Sequence, residues 1–458
     1  MNQPFLSRRE LLARTGCGFG LLALSDLLAA DSMPHAVRAP HQAPRAKRII
    51  FLYMPGGPSH VDLFDPKPRL AIDNGKPLPF DKPKLERTRT GNLLASPWKF
   101  ARHGQSGTEV SELLPQVASH VDDICVIRSL VADNINHTGA ALQMCTGEQA
   151  FSRPSMGSWL TYGLGAENQN LPAFVVVSPA AVFQGAQLWA SSFLPSAYQG
   201  TLIRDLSNPI ANLGDPKSDR PRQRAKLDAL RRLNEIHKQQ RAIDTQLDAR
   251  IAAFELAFRM QREAAEAFDI GRESQSMHKH YGVGNATTDL FGRQCLLARR
   301  LVERGVRFVH LFDAPKNNAW DHHSDIQKNL PQRCAAVDQP IAALLADLKS
   351  RGLLDDTLVL WGGEFGRTPT AEGSNGREHH PFGFTMWMAG GGVRGGVVHG
   401  ATDEFGWHAV RDKVHVHDLH ATILHQMGFD HEELTFRHAG RDYRLTDVHG
   451  RVVKEVLA

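Results

Sequence analysis

Beyond residue 45 the chain alternates between short continuous apolar runs and stretches with helical periodicity. Arg48-Ile-Ile-Phe-Leu-Tyr-Met54 is apolar almost throughout and stops at Pro55-Gly56-Gly57-Pro58. Ile124–Ser129, Ala173–Val177, Arg307–Leu311 and Thr357–Trp361 have the same character. Runs of this length, bounded by turn formers and free of period-2 alternation, read as strands buried on both faces. Between them, Arg293–Arg304 and Gln339–Arg351 place apolar residues at helical spacing, and the second stops at Gly352 as a helix C-terminus should. Strands alternating with helices predict an α/β fold with a mostly parallel central sheet flanked by helices. In such a sheet the chemistry collects outside the carboxyl ends of the strands.

Two segments depart from this rhythm. Residues 65–105 are rich in Pro, Lys and Arg and read as a long surface loop. Residues 219–270 are highly charged, with Leu230, Leu233, Ile236, Ile251, Phe254 and Phe258 at helical spacing, which predicts a helical insertion, a pair of helices inserted into or packed on the core. The N-terminus differs again. Ser7-Arg8-Arg9-Glu10-Leu11-Leu12 precedes a weakly apolar, glycine-containing stretch from Cys17 to Ala30, the order of a twin-arginine export signal covering residues 1–30. That stretch is too short and too glycine-rich to span a membrane, and no later run approaches the roughly 20 apolar residues required. The pattern predicts a mature protein that starts near Asp31, works in the periplasm or outside the cell, and keeps one domain over residues 45–458.

Composition narrows the partners. A net charge of +4 on 458 residues, with the basic residues scattered, argues against nucleic-acid binding. Cys125, Cys145, Cys295 and Cys334 form no CxxC pair, so a thiolate metal cluster is not expected.

The 23 histidines change the picture more, because they crowd into the C-terminal half beside carboxylates at strand ends. Ser59, His60 and Asp62 follow the first run. Asp313 and then Asp321-His322-His323 follow the Arg307 run, and Glu364 follows the Thr357 run, ahead of Arg377-Glu378-His379-His380. Carboxylate oxygens with neutral imidazole nitrogens hold divalent ions and leave positions open for substrate. Asp321, His323, Glu364, His379, His380, His60 and Asp62 are therefore the candidate ligands. His310, His399, His425 and His449 stand alone and are weaker candidates.

These motifs carry a resemblance. Met54-Pro-Gly-Gly-Pro-Ser-His60-Val-Asp62, His137-Thr138-Gly139, Trp320-Asp321-His322-His323, Gly363-Glu364-Phe365-Gly366-Arg367-Thr368-Pro369, Met388-Ala-Gly-Gly-Gly-Val393 and His417-Asp418-Leu419-His420 resemble the bacterial family catalogued as domain of unknown function 1501, common in planctomycetes and placed with the alkaline phosphatase and sulfatase superfamily. The likeness runs over essentially the whole chain and implies an alkaline phosphatase-like fold. It also implies a nucleophile at a helix N-terminus, which points to Thr138 next to His137; as residue types go, Thr138 is equally a helix N-cap. No Cys-x-Pro-Ser-Arg is present there, so formylglycine chemistry is not implied. Where the superfamily places its first-strand Asp this chain has Pro55-Gly56-Gly57, and Glu364-Phe365 stands in place of Asp-His.

Two functions fit. One is a hydrolase of sulfate or phosphate esters, small or polysaccharide, that uses a divalent ion (zinc, calcium or manganese), with Arg367 or Arg153 offsetting developing charge. The other is a periplasmic binding or scaffold protein that keeps the fold without turnover.

Overall fold

β1 (Arg48–Tyr53) lies near the middle of a nine-stranded sheet and divides the apolar interior in two. Its alternation decides which residue serves which side: Ile50, Leu52 and Met54 enter one core, and Ile49, Phe51 and Tyr53 the other. The structure is a computed structural model that describes residues 36–81, 91–209, 220–240, 254–256, 258–260 and 266–458. The expected export signal lies outside those residues.

The other strands are β2 (Ile124–Val131), β3 (Phe174–Val177), β4 (Thr201–Ile203), β5 (Phe308–Phe312), β6 (Thr357–Gly362), β7 (Phe384–Ala389), β8 (Val397–His399) and β9 (Val414–His415). They run in the order β8-β2-β7-β6-β1-β5-β3-β4, with β9 also on β2. β1 is parallel to β5 and β6, and β3 is parallel to β5 and β4. Only β7 runs antiparallel, between β2 and β6. The sheet is therefore mostly parallel, as the apolar runs predict. Phe384-Thr-Met-Trp-Met-Ala389 was not anticipated, although it is equally apolar and fully buried.

Helices cover both faces. α1 (His137–Thr146), α2 (Met156–Leu164) and α6 (Val416–Gln426) pack on the Phe51 side. α4 (Asp289–Glu303) and α5 (Ile326–Ser350) pack on the Leu52 side. Pro331 and Pro340 interrupt α5, so sequence periodicity starts it only at Gln339. Burial of Leu330, Cys334, Val337, Ile341, Leu344 and Leu348 on one stripe offsets the lost backbone bonds and carries the helix through.

The described parts of the two irregular segments contribute to the interior. Leu70, Leu78 and Leu93 pack with Val61, Phe405 and Trp407 in a small third core, and Phe100–His103 pairs with Thr108–Ser111. α3 (Arg220–Gln240) leaves Leu230, Leu233 and Ile236 exposed, but Met260, Phe268 and Ile270 are buried in the main core. Much of the expected second helix falls outside the described residues. Among the described residues no helix is long and apolar enough to cross a membrane, and Cys125, Cys145, Cys295 and Cys334 are free and buried.

Candidate metal centre

The carboxyl ends of β2, β5, β1 and β6 and the amino end of β7 share one edge of the sheet. The chain leaves that edge after β2, β5 and β6 and returns each time with polar side chains. After β2, Asn136 caps α1 by accepting from Thr138 N at 2.9 Å, which sets His137 in the first turn. After β5 a loop delivers Asp321 and His323. After β6 come Glu364 and Arg367, and a short antiparallel pair, Gly366–Arg367 with His379–His380, brings in His379. The turn after β1 makes room for them. Gly56 has φ +115°, and a Cβ there would lie 2.4 Å from Asp321 N. Its amide donates to Glu364 Oε1 at 2.9 Å, and its carbonyl accepts from Arg367 Nη2. The turn after β1 thus supplies backbone that supports Glu364 and Arg367.

His137, Asp321, His323 and His379 offer one atom each, all within 4.8 Å of one another. His137 Nε2 is 3.2 Å from Asp321 Oδ2, and Asp321 Oδ1 is 2.9 Å from His323 Nε2 and 3.5 Å from His379 Nε2. His323 Nε2 and His379 Nε2 are 3.0 Å apart. The other nitrogen of each ring is held from behind. His137 Nδ1 faces Glu364 Oε1 at 2.6 Å, His379 Nδ1 donates to Ile135 O at 2.8 Å, and His323 Nδ1 donates to Glu372 with Glu378 Oε1 at 3.7 Å. An acceptor behind Nδ1 fixes the tautomer that turns the Nε2 lone pair inward, which is how metal-ligating histidines are oriented. Glu364 is itself held by Tyr53 Oη at 3.0 Å.

The electrostatics suit a cation at this point. Burial works against the charge on Asp321, yet hydrogen bonds from His137, His323 and His379, with Arg367 beside it, hold the carboxyl well below the usual range. Burial also opposes protonation of His137 and His323, but Asp321 and the glutamates outweigh it and raise both. Burial lowers His379. Three imidazoles thus face one carboxylate, and something positive must sit among them. Protons on His137 and His323 can serve, and so can a metal ion. Three imidazole nitrogens and one carboxylate oxygen, converging from different elements, make a donor set that fits the ion.

Other expected residues lie elsewhere. His379 and His380 are neighbours on one strand, so their rings point to opposite faces. His380 donates to Trp407 O at 2.6 Å and stacks at 5.7 Å on His60, which bonds Gly406 O at 2.8 Å. Asp62 is taken by Arg377, at 2.7 and 3.0 Å, and by Ser59 Oγ at 2.6 Å. None of His60, Asp62 and His380 reaches the cluster. Glu364 supports His137 from behind and is not among the converging atoms. Arg367 is fully buried, and its guanidinium touches Asp321 and the carbonyls of Gly56, Gly57 and Arg377. Arg153 is held by Glu148 at 3.5 Å and lies over the Tyr443 ring at 4.3 Å. Thr138 is exposed beside His137, and the cap is Asn136. Asp418 closes a capping box on α6. His310 is a core residue stacked on Phe51 at 4.9 Å. His137, a catalytic candidate beside Thr138 in the sequence, stands among the converging atoms, and Glu372 and Glu378 stand behind the rings as supports that the sequence does not announce. Glu378 directly precedes His379, but a carboxylate that only orients a ring leaves no spacing signal.

No curated protein matches the chain. Among solved structures it is similar to the lipoteichoic acid synthase LtaP from Listeria monocytogenes, at 9% identity over 91% of this chain and 79% of that one, TM-score 0.39. It is similar to the alkaline phosphatase from the Antarctic bacterium TAB5, at 10% identity over 77% and 93%, TM-score 0.32. A third likeness is to the PsFucS1 sulfatase from Pseudoalteromonas sp., at 13% identity over 85% and 69%, TM-score 0.35. Likenesses this distant carry no chemistry, and the site stands on its own geometry. One family matches at the level of sequence, over residues 46–457, and the chain belongs to it: the family described as protein of unknown function (DUF1501).

Proposed function

We propose that the protein is an exported, metal-dependent hydrolase of sulfate or phosphate esters, with one divalent ion held by His137, Asp321, His323 and His379. The observation that carries this reading is the convergence of three Nε2 atoms on one carboxylate, each ring held from behind by an acceptor. A donor set of three imidazoles and one carboxylate fits zinc or manganese better than calcium, which prefers oxygen ligands alone. When bound, the ion supplies Lewis-acid polarisation of the ester oxygens.

The chain's own residues do the rest. Glu364, Glu372 and the carbonyl of Ile135 keep the rings in one tautomer. Arg367 offsets the charge of Asp321 and fixes its orientation. Thr138, exposed on the first turn of α1 next to His137, is our proposed hydroxyl nucleophile, with the helix N-terminus favouring its ionised form. Phe183, 58% exposed, stacks at 6.0 Å on His137 and gives the mouth an apolar wall. Export rests on the Arg8-Arg9 pattern.

The test is turnover of p-nitrophenyl sulfate and p-nitrophenyl phosphate by protein loaded with zinc or manganese. Metal-dependent release of nitrophenol that is lost in Thr138→Ala and His137→Gln supports the assignment. A second reading, a binding or scaffold protein, draws on Arg367, which already occupies one oxygen of Asp321. Protein that holds no ion and turns over neither ester would favour it.

A further inference from the structure

The loop that delivers Asp321 also builds one wall of a second feature. Next to Asp321, a cleft of about 290 Å³ is lined by Lys316, Asn318, His322, Asn329, Gln332 and Arg333, together with Asp321. Lys316 and Arg333 donate only, and the amides of Asn318, Asn329 and Gln332 can donate as well as accept. Lys316 is exposed. Arg333 lies 3.7 Å from Asp313 Oδ1, beyond hydrogen-bond length, while Asp313 Oδ2 already accepts from Trp320 Nε1 at 2.7 Å. Two further polar atoms, Asn318 Nδ2 and His322 Nδ1, are buried without a hydrogen-bond partner among the described residues, and His322 is only 4% exposed. Asn318 and His322 thus keep polar capacity in the wall of the cleft that no described residue uses. The one carboxylate in the wall, Asp321, is engaged by Arg367, so Lys316 and Arg333 set the local sign.

The backbone holds this arrangement in place. Asn318 adopts φ +44°, a left-handed conformation that Asn tolerates, and its carbonyl accepts from Asp321 N at 3.1 Å. One turn therefore places Asn318 on the cleft and Asp321 on the cluster. A group bound in the cleft would lie within one residue of the proposed reaction centre.

We propose that this cleft is a subsite for a second oxyanion of the substrate, a sulfate, phosphate or carboxylate separate from the ester that is cleaved, with Lys316 and Arg333 as its counter-charges. The protein would then act on polyanionic esters, such as sugars with more than one sulfate. The subsite itself needs only the cleft; its link to turnover rests on the metal-site reading above.

The experiment is a calorimetric titration of the purified protein with inorganic sulfate at low ionic strength, together with a metal count on the same samples. One saturable site is expected, weakened about tenfold or more by Lys316→Met combined with Arg333→Met, since each charge-assisted contact is a strong one. Lys316→Met alone, at an exposed position, should weaken it severalfold and covers the case in which the double variant does not fold. Binding should survive His379→Gln. Sulfate binding that disappears in His379→Gln but persists in Lys316→Met would place the anion at the cluster and overturn the subsite, leaving the metal reading intact. Absence of saturable binding, or an adventitious ion only, also overturns it. If the metal count is zero while Lys316-dependent sulfate binding remains, the hydrolase reading fails and the subsite stands. With turnover in hand, a disulfated monosaccharide should show a lower KM than its monosulfated analogue, and Lys316→Met should remove that advantage with little change in kcat.

Discussion

Single residues show how closely the site is built. Gly56 can hold its position only because it has no side chain: its φ is +115°, and an added Cβ would sit 2.4 Å from Asp321 N. Gly56→Ala should cost about 2 kcal/mol or more in urea unfolding and displace Asp321, lowering metal affinity at the same time. His310 gives a prediction of another kind. Burial among Phe51, Tyr53 and Phe312 lowers its pKa to about 3. The unfolded chain takes up a proton near pH 6.5 while the folded one resists until about 3. Its contribution is therefore intact above pH 6.5 and lost progressively as pH falls toward 3, at about 1.4 kcal/mol per pH unit. His310→Phe should reduce the stability difference between pH 7 and pH 5, as read from denaturant midpoints; an unchanged difference would mean the ring is solvated. Residue type alone gives neither result. In the sequence His310, His379 and His380 are equally histidines beside strands, and only the pleat and the layer above each one decide that the first is core, the second faces the cluster and the third faces away.

At the scale of elements, the strap from Gly366 to His380 is the part the sequence revealed least. The apolar runs announce β1, β2, β3, β5 and β6 because burial on both faces leaves little choice of residue. The strap has two-residue strands and is held by ion pairs instead. Arg377 and Asp62, both fully buried, close it through two hydrogen bonds, and this pairing removes Asp62 from the ligand set. Arg377→Met leaves a buried carboxylate without its partner and should destabilise the fold by about 3–5 kcal/mol, whereas Asp62→Asn combined with Arg377→Met should recover part of that loss. Gly376 also belongs to this element, since a Cβ there would lie 1.8 Å from His323 O. Gly376→Ala should therefore weaken metal binding through His323 without touching the cluster, a shift that a metal titration would detect.

Across the whole molecule, the strand rhythm was enough to foresee a mostly parallel sheet with its chemistry at one edge. β7 is absent from the strands read in the sequence although its run is as apolar as theirs, and its antiparallel direction is one that no apolar run announces. Three of the four converging residues, Asp321, His323 and His379, were legible as candidate ligands because they stand after or before strands, while His137 was legible as a catalytic candidate beside Thr138. The export proposed from Arg8-Arg9 has its own test: replacing both with Lys should retain the protein in the cytoplasm, as cell fractionation would show. An ion that binds only the folded state stabilises it by mass action, so zinc or manganese at 100 times its Kd should add about 2.7 kcal/mol and raise Tm. The most direct measurement is the metal-to-protein ratio by elemental analysis after loading with zinc or manganese and desalting, for wild type, Asp321→Ala and His379→Gln. The account predicts one ion per chain in the wild type and loss of tight binding in both variants. A wild type that holds no ion, or variants that hold as much as the wild type, would contradict it.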